Sequence, residues 1–379
     1  MSDASMPADG ESRPRGRRGH RTGWSTGACA AAAAAAAARG LATGVVPQRI
    51  EIALPEGQQP VFDIVESAVS DGVARAAVVK DAGDDPDATH GARIVAQVRA
   101  LPGAAGEIRL LGGVGVGRVT RAGLGLPVGE AAINPGPRVY IAENLRRAAP
   151  EILARDGLEA TISVPDGEAL ARRTLNARLG ILGGLSILGT TGVVYPYSTA
   201  SFKATVLQGV RVAVAQGERT VCFATGRRTE RYCMSAFPEL PEVCFVQMGD
   251  FVGAALSAVR ETGVARVLVG GMAGKLAKIA QGMKVTHARK APVDMERLAM
   301  LATESGADPA LCQRIREGDT ARWVAELATE AGLSARFHRR LASAAARALA
   351  AELPTGTALE VLAFDPEGHL LARAEDRGG

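Results

Sequence analysis

The second half of the chain alternates short apolar runs with helix-forming stretches, and this alternation restricts the possible folds more than any other feature. Strands separated by helices usually pair in parallel, because the helix carries the chain back to the same edge of the sheet. Residues 181–379 are therefore predicted to form an α/β, Rossmann-like C-terminal domain with a mostly parallel sheet, a helical tail and a closing hairpin. The apolar runs are Leu185–Leu188, Val221–Ala224, Val243–Met248 and Val267–Val269, the tail covers about 294–352, and the hairpin covers 359–372.

Each apolar run ends on small or polar residues. Open parallel sheets bind ligands beyond the carboxyl ends of their strands, where the following helices present free N–H groups. We therefore expect a ligand crevice at this edge. The segments that would form it are Gly189–Gly192, Thr225–Arg228, Gly249–Asp250 and Gly270–Lys275.

Residues 19–180 are predicted to form an α+β N-terminal domain. Nine consecutive alanines, Ala30–Ala38, predict a helix from about Gly27 to Arg39, capped by Ser25 or Thr26. An anion could bind at the N-terminus of this helix, although tight packing of an ordinary capped helix explains the pattern equally well. The strands predicted around it are Arg49–Leu54, Val61–Glu66, Ala74–Val79, Ile94–Val98 and Ile108–Leu111. Residues 1–18 are polar and are predicted to be a disordered basic tail.

The segment Lys80–Ala92 is unusually rich in titratable groups. It holds four aspartates, a lysine and a histidine directly after a predicted strand. Loops at strand ends often carry chemistry, although an exposed acidic turn is the alternative interpretation. Two neighbouring carboxylates can raise the pKa of one of them toward neutrality, which suits a general base. If the substrate must lose a proton, the candidates for that role are Asp81, Asp84, Asp85 and His90, with His287 as a further candidate.

Composition excludes several classes of protein. The formal net charge of +4 is too small for a nucleic-acid footprint, because the first 21 residues carry +2 of it. The five cysteines lack the C-x₂-C spacing of zinc sites, and a reducing cytoplasm is the simplest location. The run Ala28–Ala38 is shorter than the roughly 20 residues that span a bilayer, so no membrane association is expected.

Several segments resemble the cobalt-precorrin-5B C(1)-methyltransferases of cobalamin biosynthesis. The resemblance runs in order from about residue 21 to about residue 295. It departs mildly at Ser25, where the family pattern leads us to expect threonine, and at Gly136, where a larger residue is usual. The matching segments are Thr26–Cys29, Lys80–Asp87, Thr89–Ala92, Pro127–Glu130, Ala132–Pro135, Leu188–Gly192, Tyr195–Ser198, Gln247–Asp250, and Gly270–Lys275 through His287.

The resemblance implies transfer of the methyl group of S-adenosyl-L-methionine to carbon 1 of cobalt-precorrin-5B, giving cobalt-precorrin-6A in the anaerobic pathway. Cobalt would then belong to the substrate, and no protein-bound metal is expected. The partner would be an anionic tetrapyrrole, and a homo-oligomer stays possible.

The resemblance also divides the candidate residues between two ligands. Asp250 would accept hydrogen bonds from the ribose hydroxyls of the cofactor, or would instead be the N-cap of a helix from Phe251. The other cofactor-binding candidates are Gly189, Thr190, Gly192, Gly226, Gly270 and Gly271. The candidates for holding the tetrapyrrole are Thr26, Arg138, Arg227, Lys275, Lys278 and His287.

Two other functions fit the same sequence less well. A nicotinamide-dependent oxidoreductase could use the same crevice, but the glycine run Gly112–Gly117 is followed by Arg118 and Thr120 rather than by the apolar helix of a dinucleotide motif. A non-catalytic carrier of a corrinoid intermediate would bind the pigment tightly. Such a carrier would have no use for the glycine-edged crevice of the second domain.

Overall fold

The computed structural model describes residues 19–287 and 292–378. The chain divides into two compact units, of which the first ends at Ser198 and the second begins at Thr199. The tail predicted over residues 1–18 lies outside the described residues. In the described ranges, no helix is both long enough and apolar enough to cross a bilayer.

The first unit is built on a five-stranded sheet with the strand order β4-β5-β6-β9-β7, in which only β7 and β9 pair in parallel. Its strands are β1 (Gly23–Trp24), β2 (Arg49–Glu51), β3 (Val61–Asp63), β4 (Glu66–Ser70), β5 (Val73–Val79), β6 (Arg93–Leu101), β7 (Ile108–Gly112), β8 (Arg118–Val119), β9 (Gly157–Ser163), β10 (Ile181–Leu182) and β11 (Val193–Val194). Its helices are α1 (Thr26–Thr43), α2 (Pro135–Ala148), α3 (Pro150–Arg155) and α4 (Gly167–Ala171).

Helix α1 is the central helix of this unit, as the alanine run predicts. It lies against β5, β6 and α2, and every alanine from Ala30 to Ala38 is buried. Side chains this small let the helix approach the sheet and α2 closely on all sides. Ser25 is the N-cap, and its Oγ accepts the amide hydrogen of Ala28 at 3.1 Å.

The second unit is built on a five-stranded sheet with the order β13-β12-β14-β15-β16. Neighbours pair in parallel as far as β15, and β16 lies antiparallel at the edge. Its strands are β12 (Thr220–Ala224), β13 (Phe245–Gln247), β14 (Arg266–Met272), β15 (Ala358–Phe364) and β16 (Leu370–Arg377). Its helices are α5 (Thr199–Ala215), α6 (Arg227–Ala236), α7 (Val252–Thr262), α8 (Ala273–Ala280), α9 (Met295–Glu304), α10 (Pro309–Arg316), α11 (Ala321–Glu330) and α12 (Ser334–Ala350).

One predicted strand lies elsewhere. The run Leu185–Leu188 does not join the parallel sheet: Leu185 and Ile187 form isolated bridges with Val116 and Ile133 of the first unit. Strands β10 and β11 likewise pair with β8 and β1. Residues 181–198, predicted to lie in the second domain, therefore belong to the first unit. An apolar run predicts a strand, but it does not identify the sheet that the strand joins.

Candidate functional site

A cavity of about 910 Å³ opens beyond the carboxyl ends of β14 and β15 in the second unit. Its walls come from the β14–α8 junction at Met272–Lys275, from the segment Phe364–Glu367 after β15, and from helices α11 and α12. This is the edge at which a parallel sheet is expected to bind its ligand. The helical tail, in which the sequence showed no chemical motif, supplies one whole wall.

The N-terminus of α8 faces this cavity without a side-chain cap. Met272 occupies the N-cap position and accepts no amide hydrogen through its side chain. Gly274 lines the cavity, and a Cβ built there would have no heavy atom within 4 Å. Gly226, just before α6, is similarly open. Free amide groups at a helix N-terminus attract anions, so the α8 junction can receive a carboxylate or phosphate.

Asp250 lies beside the cavity and is held by two neighbours. Its carboxylate accepts hydrogen bonds from Lys275 Nζ and from Thr286 Oγ1, the latter at 3.1 Å. Burial opposes ionisation of Asp250, but the hydrogen bond and the charge of Lys275 outweigh burial and hold its pKa below the usual range. Asp250 does not cap the following helix, which begins at Val252 with Phe251 at the N-cap position. The carboxylate therefore orients Lys275 at the wall of the cavity.

The predicted basic residues differ in whether their side chains already have partners in the protein. Lys278 is buried in the cavity wall, where its Nζ donates to the carbonyl of His287 at 3.3 Å. Arg138, in the first unit, donates to Ile133 O at 2.8 Å and to Glu130 at 3.1 Å. Arg227 and its neighbour Arg228 are exposed and have no hydrogen bond or ion pair within the described part of the chain. Arg227 and Arg228 are therefore free to bind an anionic ligand.

The charges around the cavity are balanced. Four cationic side chains line it, Arg228, Lys275, Lys278 and Arg322, together with four carboxylates, Asp319, Glu326, Asp365 and Glu367. Such a lining suits a ligand that carries charges of both signs. A ligand with many carboxylates would need an excess of cations.

The predicted cofactor glycines serve mainly for close packing. A Cβ at Gly270 would lie 2.2 Å from Cys233 Sγ, and one at Gly271 would lie 2.8 Å from Leu276 Cδ2. Gly189 and Gly192 belong to the first unit, where a Cβ at Gly189 would lie 2.4 Å from Ser25 and both residues have positive φ angles. These glycines leave room for the side chains packed against them, and Gly189 and Gly192 lie in a different unit from Gly270 and Gly271.

In the first unit, three of the family-like segments meet at the N-terminus of α1. Gly27 N donates to Leu188 O at 3.0 Å, and Asn134 N donates to Ile187 O at 2.9 Å. Thr26 is buried, and its hydroxyl donates to Ser186 O at 3.0 Å and accepts from Leu188 N at 2.9 Å. Thr26 thus joins segments of the protein, and the first amide groups of α1 already have protein acceptors. Thr190 is exposed on the joining loop.

The aspartate-rich loop is tied down by its own carboxylates. Asp81 accepts hydrogen bonds from the guanidinium group of Arg21 and from Gly83 N, the latter at 2.9 Å. Asp84 accepts from Arg21 N at 2.7 Å, and Asp85 accepts from Tyr197 N at 2.9 Å. Each predicted carboxylate base therefore also has a structural partner. Each still has acceptor capacity for a ligand.

A buried ion pair that the sequence analysis did not single out lies beneath this loop. Lys80 is 1% exposed, and its Nζ donates to Asp87 Oδ2 at 2.6 Å. Asp87 also accepts from the amide and hydroxyl of Thr89, at 2.7 and 2.6 Å. Burial opposes ionisation of Asp87, but Lys80 and these hydrogen bonds outweigh it and hold the pKa of Asp87 below its usual range.

His90 is poorly placed as a base. Its Nδ1 accepts the amide hydrogen of Ala82 at 3.1 Å, which assigns the ring proton of the neutral side chain to Nε2. The side chain is 56% exposed. The nitrogen that faces outward is therefore a hydrogen-bond donor, and His90 is better suited to holding a ligand oxygen than to removing a proton.

Across the described ranges, no group of three or more His, Cys, Asp and Glu side chains is arranged to hold a metal ion.

Comparison with known proteins gives consistent results along the chain. Residues 13–196 match the CbiD family and residues 285–375 match the CbiD C-terminal domain. A protein of Dechloromonas aromatica named cobalt-precorrin-5B C(1)-methyltransferase is 54% identical over 95% of this chain and 92% of its own length. Proteins of the same name from Variovorax paradoxus and Priestia megaterium are 52% and 44% identical, over 94% and 89% of this chain and 98% and 91% of their own lengths.

One solved structure is also similar, the cobalamin biosynthesis protein (cbiD) from Archaeoglobus fulgidus. It is 27% identical, and the match covers 78% of this chain and 88% of that one with a TM-score of 0.39.

Proposed function

This chain belongs to the CbiD family, and we propose that it methylates carbon 1 of cobalt-precorrin-5B in cobalamin biosynthesis, with S-adenosyl-L-methionine as the methyl donor. The family and the methyltransferase class predicted from the sequence are confirmed by relatives that are 44–54% identical over most of the chain. Cobalt enters with the substrate.

We place S-adenosyl-L-methionine in the cavity of the second unit, and the balanced charge of that cavity is the observation that carries this placement. The molecule has a sulfonium, an ammonium and a carboxylate group, so it needs partners of both signs. A volume of about 910 Å³ lies in the range of about 300–1,000 Å³ that is usual for small-molecule sites. The cavity opens at the carboxyl ends of parallel strands that helices connect. This arrangement supports the Rossmann-like description of the unit.

The roles of the residues follow from their positions. The uncapped N-terminus of α8, with Arg228 beside it, would hold the carboxylate of the methyl donor. Arg227, which is exposed and unpaired in the described part of the chain, is available to a carboxylate of the tetrapyrrole. When bound, S-adenosyl-L-methionine supplies a methyl group that is already activated by its positive sulfur. The main task of the protein is then to align donor and acceptor at about 3–3.5 Å and to exclude water.

The direct test is methyl transfer. The full-length protein is incubated anaerobically with cobalt-precorrin-5B and S-adenosyl-L-methionine that carries an isotopically labelled methyl group. We expect one labelled methyl on the product, located at carbon 1 by mass spectrometry and nuclear magnetic resonance. Bound pigment without transfer would favour a carrier, and transfer to another position would mean that the acceptor carbon is wrong.

We further propose that Asp84 and Asp85 act on the tetrapyrrole, as a base or as a negative charge that favours proton loss from the ring. Replacing both with asparagine keeps an oxygen to accept from Arg21 N and Tyr197 N, so the loop should stay folded. We expect kcat to fall by about 100-fold, the lower end of what a general base contributes. The control is Asp63→Asn with Asp71→Asn, which removes the same charge from exposed positions of the first unit. Equal rates for the two double variants would contradict this role.

A further inference from the structure

His338, on α12, is a buried histidine that none of the roles above uses. It lines the cavity and is only 3% exposed. Its Nδ1 lies 2.8 Å from the carbonyl oxygen of Ser334, one helical turn earlier. A carbonyl oxygen can only accept, so Nδ1 carries the proton and Nε2 is left with a lone pair.

The lone pair of Nε2 has no donor within the protein. No residue in the described ranges donates to it. Nε2 is also not fully enclosed by protein, whereas Gln58 Oε1, in the first unit, is enclosed and has no partner in the described ranges. Nε2 therefore reaches the cavity. Burial lowers the pKa of His338 and outweighs the hydrogen bond to Ser334 and the nearby charge of Asp365, which both oppose it. The ring is thus kept neutral, in the form that can accept a hydrogen bond.

A ligand that fills the cavity displaces the water to which Nε2 could otherwise bond, so binding is favoured when the ligand supplies a donor in its place. We propose that His338 Nε2 accepts a hydrogen bond from an O–H or N–H group on the adenosine half of S-adenosyl-L-methionine, so that His338 selects the nucleoside. This assignment rests on the proposed placement of the methyl donor in the cavity. The donors available in that half are the 6-amino group of adenine and the two ribose hydroxyls.

The test measures binding without turnover. Isothermal titration calorimetry on the full-length protein compares S-adenosylhomocysteine with three analogues that lack the 6-amino group, the 2′-hydroxyl or the 3′-hydroxyl. We expect one analogue to bind wild-type protein about tenfold more weakly than the parent compound, as the loss of one hydrogen bond predicts. The group that this analogue lacks is the candidate donor to His338.

Two substitutions separate the roles of the two ring nitrogens. His338→Asn keeps a donor for Ser334 O but does not reach the cavity, whereas His338→Gln extends an amide oxygen to about the position of Nε2. In His338→Asn, the parent compound and the sensitive analogue should bind equally, as expected when both partners of one contact are removed. In His338→Gln the difference should persist. Thermal unfolding of both variants checks that the fold is kept.

The outcomes distinguish this assignment from the placement on which it rests. Equal binding of all four compounds to wild-type protein, or an unchanged difference in His338→Asn, would overturn the role of His338. Gly274→Trp, which fills the cavity from α8, tests the placement itself. If S-adenosylhomocysteine binds Gly274→Trp as tightly as wild-type protein, the methyl donor is not in this cavity. The placement of the methyl donor and the role of His338 would then both be wrong, whatever the affinity of His338→Asn for the ligand.

Discussion

Asp87→Ala is expected to lower the free energy of unfolding of the first unit by about 3–5 kcal/mol, because it leaves the ammonium group of Lys80 buried without a counter-ion. Lys80 is 1% exposed and has Asp87 as its ion-pair partner. Lys80 is enclosed by protein while Asp87 is 23% exposed, so water can replace the lost carboxylate only in part. The loop above the pair, which carries Asp81, Asp84 and Asp85, should lose its anchor at the same time.

The chain has two tryptophans, which allow the loss of stability to be measured in the first unit separately from the second. Trp24 is buried in the first unit, beside the loop, and Trp323 lies in the second. In a Trp323→Phe background, fluorescence during urea unfolding therefore reports on the first unit alone. Asp84→Ala is the matched control, since its side chain is 47% exposed and should cost less than about 1 kcal/mol. Equal urea midpoints for the two variants would show that the ion pair is not structural.

Acid should remove the same contribution. The folded-state pKa of Asp87 is lower than its ordinary value, so the stabilisation is fully present above the ordinary pKa of about 3.9 and is lost as the pH falls through the lower, folded value. The difference in stability between wild type and Asp87→Ala should accordingly be constant near neutral pH. It should shrink only in strong acid.

The sequence predicted the elements that follow from local pattern. The alanine run identified α1, and the apolar runs after residue 220 identified β12, β13, β14 and the β15–β16 pair. It missed β4, which is exposed along nearly its whole length and so lacks an alternating apolar face. It also missed α2, because Pro135, Gly136 and Pro137 at its start resemble a loop, although proline is well tolerated in the first turn of a helix.

The candidate site was predictable only in part, because its geometry depends on tertiary contacts. The edge of the parallel sheet could be located from Gly226 and Gly274, which do face open space. Gly270 and Gly271 have the same local pattern, yet their neighbours are Cys233 and Leu276. His338 could not have been found, since a lone histidine in an amphipathic helix carries no pattern that distinguishes a cavity wall from a core.

Gly274→Trp is expected to weaken the binding of S-adenosylhomocysteine by about 1,000-fold or more, equivalent to about 4 kcal/mol. Gly274 lines the cavity in the first turn of α8, and a side chain there would extend into open space beside the uncapped amide groups. The Cβ meets no protein atom, so the indole is expected to extend into the place of the ligand. Titration calorimetry measures the affinity, and the shift of the thermal midpoint with ligand provides a second measurement.

Gly274→Ala is the control at the same position. Alanine adds one methyl group in a direction in which no heavy atom lies within 4 Å, and it favours a helix over glycine by up to about 1 kcal/mol. We expect this variant to be at least as stable as wild-type protein and to bind the ligand. If affinity instead falls in Gly274→Ala by as much as in Gly274→Trp, backbone conformation rather than space determines binding. If neither variant weakens binding, the methyl donor occupies another site, and the balanced charge of this cavity serves a different ligand.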